Sequence, residues 1–341
     1  MTGIVYALIS AALFGISAPI AKLLLGTISP WLLAGLLYLG SGFGLAIVRQ
    51  FRRSNETQLQ KADLPWFAGA VLAGGVAGPV LLMFGLALAS AAEASLLLNL
   101  ESVFTLVIAW IVFRENVDRR LLAGAAAIVA GAVILSWPDH ASLALDQGPL
   151  LIAAACLAWA IDNNLTRKVS ASDPSQIAML KGLVAGTVNV AIAVTIGTEM
   201  PAPLLLGAAA IVGFLGYGVS LSLFVLALRH LGTARTGAYY ALAPFIGAGT
   251  AILFLGEPVT AAFVAGGLLM AIGLWLHLTE RHQHLHVHEP MEHDHLHVHD
   301  EHHQHEHEGD AGPEPHAHPH RHTRLVHKHV HYPDLHHRHT H

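Results

Sequence analysis

The chain is short of charge and nearly free of cysteine. Only 12% of its 341 residues are Asp, Glu, Lys or Arg, while 54% are hydrophobic; an ordinary soluble domain carries about 25% charged residues. That shortage argues against a mostly water-facing fold and points to a chain solvated by lipid. The single cysteine, Cys156, excludes an internal disulfide framework. The apolar part of the chain also lacks paired Ser and His, a Gly-flanked catalytic Asp and metal-ligand spacing, so no enzyme is expected.

What the chain has is length in its apolar runs. Ten of them lie near residues 3–24, 30–49, 65–88, 91–113, 119–136, 148–167, 175–196, 204–228, 233–254 and 259–278. Each is about 20 residues, enough to cross roughly 30 Å of hydrocarbon at 1.5 Å per residue. The first run has no cation before it and continues for a full span, so it reads as a retained helix, not a cleaved signal.

The net charge of −5 says less than the positions of the charges. With the N-terminus inside, the inward connections collect Arg49, Arg52, Arg53, Lys61, Arg114, Arg119, Arg120, Arg167, Lys168, Arg229 and Arg235. The outward connections carry no Lys or Arg, apart from Lys22 near the far end of the first helix. Cations are retained on the cytoplasmic side, which puts both termini there and the protein in the inner (plasma) membrane.

Two halves of the chain echo each other. "ESVFTLVIAWIVFRENV" (101–117) lies on "APFIGAGTAILFLGEPV" (243–259), setting Glu115 on Glu257, and "FGISAPIAK" (14–22) lies on the segment starting at Trp159, setting Lys22 on Arg167. Five helices per unit is an odd number, so the second unit inserts upside down, as in many secondary transporters. On "LFGISAPIAK", "NLESVFTLVIAWIVFRE" and "ALAPFIGAGTAILFLGEPV" the chain resembles the drug/metabolite transporter superfamily, in its ten-helix EamA branch. The resemblance covers residues 3–278 and implies a permease without naming its substrate. Ser102 stands where Pro244 stands in the second half, so the kink expected in helix nine is not expected in helix four. Gly256 and Pro258 read as the end of helix nine and the start of helix ten, where Glu257 would favour the positive helix terminus.

Polar residues inside the runs are the candidate site. On the fourth run Ser95, Asn99, Glu101, Ser102 and Thr105 share an arc of about 160° at 100° per residue. Glu101 lies about 15 Å deep, where an ionised carboxylate costs at least about 2.5–3.5 kcal/mol and needs a partner, water or a bound proton. It is therefore a candidate proton carrier, or else packing glue between helices. Asp162 and Lys181 both lie about 8–9 Å from the inner face on neighbouring helices and could pair. Asn163, Asn164 and Asn189 add amides, and Tyr239 with Tyr240 adds amphipathic rings. Pro19, Pro79 and Pro244 mark kinks, while "GSGFG" (40–44), "GGVAG" (74–78) and "GLVAG" (182–186) read as close-packing stripes.

After Arg281 the chemistry changes. All but three of the 26 histidines fall in residues 282–341, interrupted by Glu, Asp and Pro, and the tail reads as disordered. Imidazole suits Ni, Zn, Co and Cu ions, and alternating His-X-His sets rings on one side of an extended chain. The ligand candidates are His284, His286, His288, His293, His295, His297, His299, His302, His303, His305 and His307.

These readings imply an all-α membrane protein of ten transmembrane helices: one five-helix repeat in 1–137, an inverted second in 138–281, and a histidine-rich cytoplasmic tail in 282–341. The function expected is alternating-access transport of a small polar metabolite, proton- or ion-coupled, using Glu101, Asn99, Asp162, Asn163, Lys181 and Tyr239. Direct transport of Ni, Co or Zn ions and metal sensing or storage without flux are the alternatives. No cofactor is required. The expected partners are the lipid bilayer and a small-molecule or metal solute, not nucleic acid, with a homodimer left open.

Overall fold

The computed structural model describes residues 2–51, 59–113, 117–137, 146–166, 169, 173–279, 283–288, 291–297, 316–322 and 325–330. The apolar runs become helices: α1 (Thr2–Leu24), α2 (Pro30–Phe51), α3 (Leu64–Ala70), α4 (Gly78–Leu88), α5 (Ala91–Leu97), α6 (Leu100–Phe113), α7 (Arg119–Leu135), α8 (Gln147–Thr166), α9 (Pro174–Thr195), α10 (Pro203–Gly213), α11 (Ser220–Tyr240), α12 (Ala243–Leu255) and α13 (Ala261–Leu278). Among the described residues, eight helical stretches are long and apolar enough to cross a membrane. Their outer surface is greasy: Leu253 and Phe254 are 80% and 81% exposed, which water would not favour and lipid does.

Two runs swell instead of staying α-helical. The third is α3, a π-helical turn Val71–Ala77, then α4. Pro79 explains it, because its ring crowds the carbonyl four residues back and supplies no N–H to the preceding turn. A second π-helical turn, Phe214–Val219, joins α10 to α11.

Three expectations are corrected. The fourth run is broken after all: α5 and α6 are separated at Leu98–Asn99, where bonds from Leu98, Asn99, Glu101 and Ser102 N–H reach carbonyls only three residues back. Proline is not needed there, because Asn99 and Ser102 hydrogen-bond the local backbone and compete with the helix ladder. The gap expected near residues 229–232 is absent; α11 continues to Tyr240, and the break falls at Ala241–Leu242, just ahead of Pro244. The tail is not wholly irregular. β1 (Gln283–His288) pairs antiparallel with β4 (Leu325–Val330), and β2 (Met291–His297) with β3 (His316–His322). Its His-X-His alternation has the period of a strand.

The core is built by pairing distant runs. α2 packs along α9 and α7 along α13; α1 lies against α11 and α12, and α8 against α4 and α6. Small residues allow the closest approach, as expected of two of the glycine stripes: a Cβ added to Gly182 would sit 2.7 Å from the Gly42 nitrogen.

Candidate functional site

Helix α8 organises the polar interior. Trp159, Asp162, Asn163 and Thr166 recur at helical spacing on one face, and three of them reach a different neighbouring element. Asp162 pairs with Lys181 of α9, whose Nζ donates to both carboxylate oxygens at 2.7 Å. Thr166 Oγ1 donates to Asp162 Oδ1 at 2.8 Å, so the carboxylate is satisfied on both sides. Asn163 Nδ2 donates to Glu101 Oε1 of α6 at 2.7 Å. Trp159 Nε1 donates to the Gly74 carbonyl at 2.9 Å.

That last bond belongs to a set closing the π-helical turn ahead of Pro79. The carbonyls such a turn frees must find donors when water is absent. Gly74 O receives Tyr38 Oη at 2.7 Å as well as Trp159, and Gly75 O receives Asn189 Nδ2 at 3.3 Å. Gly74 is needed for another reason: a Cβ there would lie 1.9 Å from Asp162 Oδ2. Asn189 is fully buried, and its Oδ1 has no hydrogen-bond partner among the described residues.

The break in the fourth run is braced in the same way. Asn99 Nδ2 donates to Leu96 O at 2.8 Å, and the buried Cys156 thiol of α8 lies 3.6 Å from Leu97 O and 3.9 Å from Leu98 O. The break before α12 also faces α1. Gly15 lets α1 approach it: an added Cβ would meet the Ala243 carbonyl at 2.4 Å. Between the two breaks is a narrow pocket lined by Phe14, Gly15, Ser17, Leu98, Tyr217 and Pro244, with room for about one water molecule.

Both ends of the bundle are pinned. Lys22 of α1 donates to the carbonyls of Leu86, Ala87 and Ala89 at 2.6, 3.2 and 2.8 Å, closing the C-terminal end of α4. Glu257 accepts the N–H groups of Ala91 and Ala92 at 2.7 Å each, and Ser90 Oγ takes that of Glu93. Glu257 thus does serve a helix N-terminus, but that of α5; α13 is capped by Thr260 Oγ1. Gly256 ends α12 with φ of 67°, in the left-handed region that glycine tolerates. At the opposite end Arg49 of α2 forms an ion pair with Asp173, the N-cap of α9.

The sequence-selected residues divide. Asp162 with Lys181, and Glu101 with Asn163, meet as two pairs sharing α8. Asn99 does not join them; the break turns it toward Met270 of α13 and it serves its own backbone. Tyr239 is half-buried near the end of α11, while it is the neighbouring Tyr240 whose ring packs on Phe14 and Phe224 at 5.8 and 4.8 Å. Tyr38, Trp159 and Tyr217 were missed; only Pro79 hinted at the turn that recruits the first two. Of the histidines, His284, His286 and His288 fall in β1 and His293, His295 and His297 in β2. His299, His302, His303, His305 and His307 lie outside the described residues, as do Arg167 and Glu115.

Known proteins bear on this arrangement. The model of the EamA-like transporter family matches residues 1–137 and again 146–279. A protein of Methanothermobacter thermautotrophicus named "Uncharacterized transporter" is 28% identical over 282 residues, 77% of this chain and 82% of its own length. A Salmonella typhimurium protein named "Probable amino-acid metabolite efflux pump" is 27% identical over 205 residues, 54% of this chain and 66% of that protein. A protein of known crystal structure shares the fold with a TM-score of 0.60 at 17% identity, over 81% of this chain and 96% of its own. Apolar helices that bury a paired acid and base, broken opposite one another and matched twice along the sequence, make this a multi-pass membrane transporter that belongs to the EamA-like transporter family.

Proposed function

We propose that the protein moves a small polar metabolite through ten crossings by alternating access of two inverted five-helix units, residues 1–137 and 138–281, with both termini in the cytoplasm and the inner membrane as its home. One observation carries the reading. The fourth and ninth runs break at Leu98–Asn99 and Ala241–Leu242, and both breaks border the same pocket against α1. Discontinuous helices facing a midplane pocket are how secondary transporters present backbone groups to a solute. The repeat reading has support beyond sequence: the third and eighth runs both swell into π-helical turns, and the two breaks fall within one residue of each other when residue 101 is laid on residue 243.

Asp162 and Lys181 form the charge pair a zwitterionic solute could displace, the Asn189 Oδ1 acceptor is open, and Glu101 is the proton carrier, held by Asn163. The name of the Salmonella relative favours an amino-acid-like cargo over a bare metal ion. Among the described residues no group of three or more His, Cys, Asp or Glu could hold an ion. The tail binds divalent metal on the cytoplasmic side and tunes transport.

Glu101→Gln tests the coupling. It keeps the side chain's size and an acceptor for Asn163 but cannot release a proton. Reconstituted in liposomes, the variant should fold and bind solute yet lose the dependence of uptake on a pH gradient. Unaltered pH dependence would remove Glu101 from the mechanism.

A further inference from the structure

The two breaks are packed unequally on their two sides. On the side of Lys22 and Glu257, α5 lies on α12 and α1 closes against both: a Cβ added to Gly247 would meet Gly15 O at 2.7 Å and Ser95 Oγ at 2.8 Å. Six of the seven residues of α5 are buried. On the other side α6 packs chiefly on α8 and α7, and its residues 104–112 all keep some exposure. The Asn163–Glu101 bond lies there and is itself exposed. The bundle is thus sealed at the Glu257 face and loose at the opposite one.

Glu257 crosses the seal. It comes from the second unit, yet its two carboxylate oxygens accept N–H groups of the first, from Ala91 and Ala92 at 2.7 Å each. Lys22, near enough to feel the charge of Glu257, and Ser90 Oγ hold the same corner from within the first unit. Hydrogen bonds to an ionised carboxylate are roughly twice as strong as neutral ones, so two of them between units oppose the separation of α5 from α12. Arg49 and Asp173 also join the units, but at the end of the α2–α9 seam, which Gly35, Gly42 and Gly182 keep close at several levels.

We propose that Glu257 is the latch of the outward-closed state: opening the passage on its face separates α5 from α12, and for that its carboxylate must release Ala91 and Ala92. The structure is the inward-facing member of the pair. The opposite member gives up the α5–α12 contact for one between α6 and the end of α11, the exchange an inverted repeat permits. Glu257 is therefore a positioning residue, which touches no solute and sets which face is open. Naming that face the outer one rests on the membrane orientation proposed above; the latch itself does not.

The test reads sidedness. Cys156 is buried, so the parent protein is the blank, and a reporter thiol is introduced by Ser95→Cys, one turn inward of Ala91, or by Ser102→Cys, beyond the break. Full-length protein in right-side-out and inverted membrane vesicles is treated with a membrane-impermeant maleimide. With Glu257 intact, position 102 should react in inverted vesicles and position 95 in neither. Glu257→Gln should speed labelling of position 95 in right-side-out vesicles by about tenfold or more, the scale of one lost charge-assisted hydrogen bond, and slow that of position 102. Ser90→Ala removes a cap from the same helix end without touching the second unit, and should lower the melting temperature while leaving both labelling patterns unchanged. Glu257→Asp keeps the charge on a shorter arm and should lie between wild type and Glu257→Gln, which keeps the test open if the Gln variant does not fold. Opening by Ser90→Ala equal to that by Glu257→Gln, or a position 95 that stays shut in every Glu257 variant, overturns the latch. A position 102 that reacts in neither kind of vesicle overturns the inward-facing assignment. Labelling with the two sides exchanged overturns the membrane orientation and leaves the latch standing.

Discussion

Asp162→Asn leaves the Lys181 ammonium facing an amide in the middle of a helix bundle. In the native protein the ammonium has two carboxylate oxygens at 2.7 Å, with only 17% of the Lys181 side chain and 8% of that of Asp162 exposed. Removing one partner of a buried pair typically costs about 3–5 kcal/mol, chiefly because the other charge is stranded. The residual exposure of Lys181 puts this pair toward the lower end, at roughly 3 kcal/mol. Since about 1.4 kcal/mol is tenfold, the folded-to-unfolded ratio should fall by a little over a hundredfold. Lys181→Met should do about the same. The double variant strands no charge and should lose only about 1 kcal/mol, a coupling of several kcal/mol that independent sites never show. Denaturant unfolding of the detergent-solubilised single and double variants measures all three. Should the double variant be destabilised by the sum of the singles, the pair is not an interacting unit and the reasoning fails. Transport then separates two roles: a double variant that folds but carries no solute makes the pair part of the passage, and one that transports normally makes it a structural tie.

Two further predictions concern the framework. Glu257→Ala removes the acceptor of two N–H groups at the start of α5 and should lower stability by about 1–2 kcal/mol, with Glu257→Gln losing about half as much; thermal unfolding in detergent reads both, and equal midpoints for all three proteins would refute the cap. Gly74→Ala places a methyl 1.9 Å from Asp162 Oδ2, so the carboxylate must move off Lys181 or the π-helical turn Val71–Ala77 off α8; a loss of about 1–3 kcal/mol and of transport is expected, and a variant as stable and active as wild type would contradict the close approach.

Much of this fold is legible in the sequence because lipid imposes a simple code. A run of about 20 apolar residues must be helical, so the ends of α1, α2, α7, α8, α9 and α13 fall within two residues of where hydropathy sets them. The Asp162–Lys181 pair is legible too, since equal depth on neighbouring helices is simple arithmetic. Departures from the regular helix are not. Nothing in hydropathy distinguishes a π-helical turn from an α-helical one, so Tyr38, Trp159 and Asn189 show no reason for their polarity until Gly74 and Gly75 expose their carbonyls. Asn99 misleads for a related reason: counted at 100° per residue it falls within the same polar arc as Glu101, but its own hydrogen bond to Leu96 helps end the helix on which that count depends. In the tail, alternating histidines fit a strand as well as a disordered ligand tract, and pairing to a segment about 19 to 47 residues onward leaves no local mark.

The hold of Lys22 and Glu257 on the α4–α5 corner has an evolutionary side. Every atom they grip there is main chain: carbonyls at 86, 87 and 89, amides at 91 and 92. Main chain has no identity to lose, so these bonds set no requirement on the letters of that corner, while they do require the cation and the carboxylate. Among kindred permeases, selection should therefore be felt far from the corner it protects, on a basic residue closing the first helix and an acidic one following the ninth.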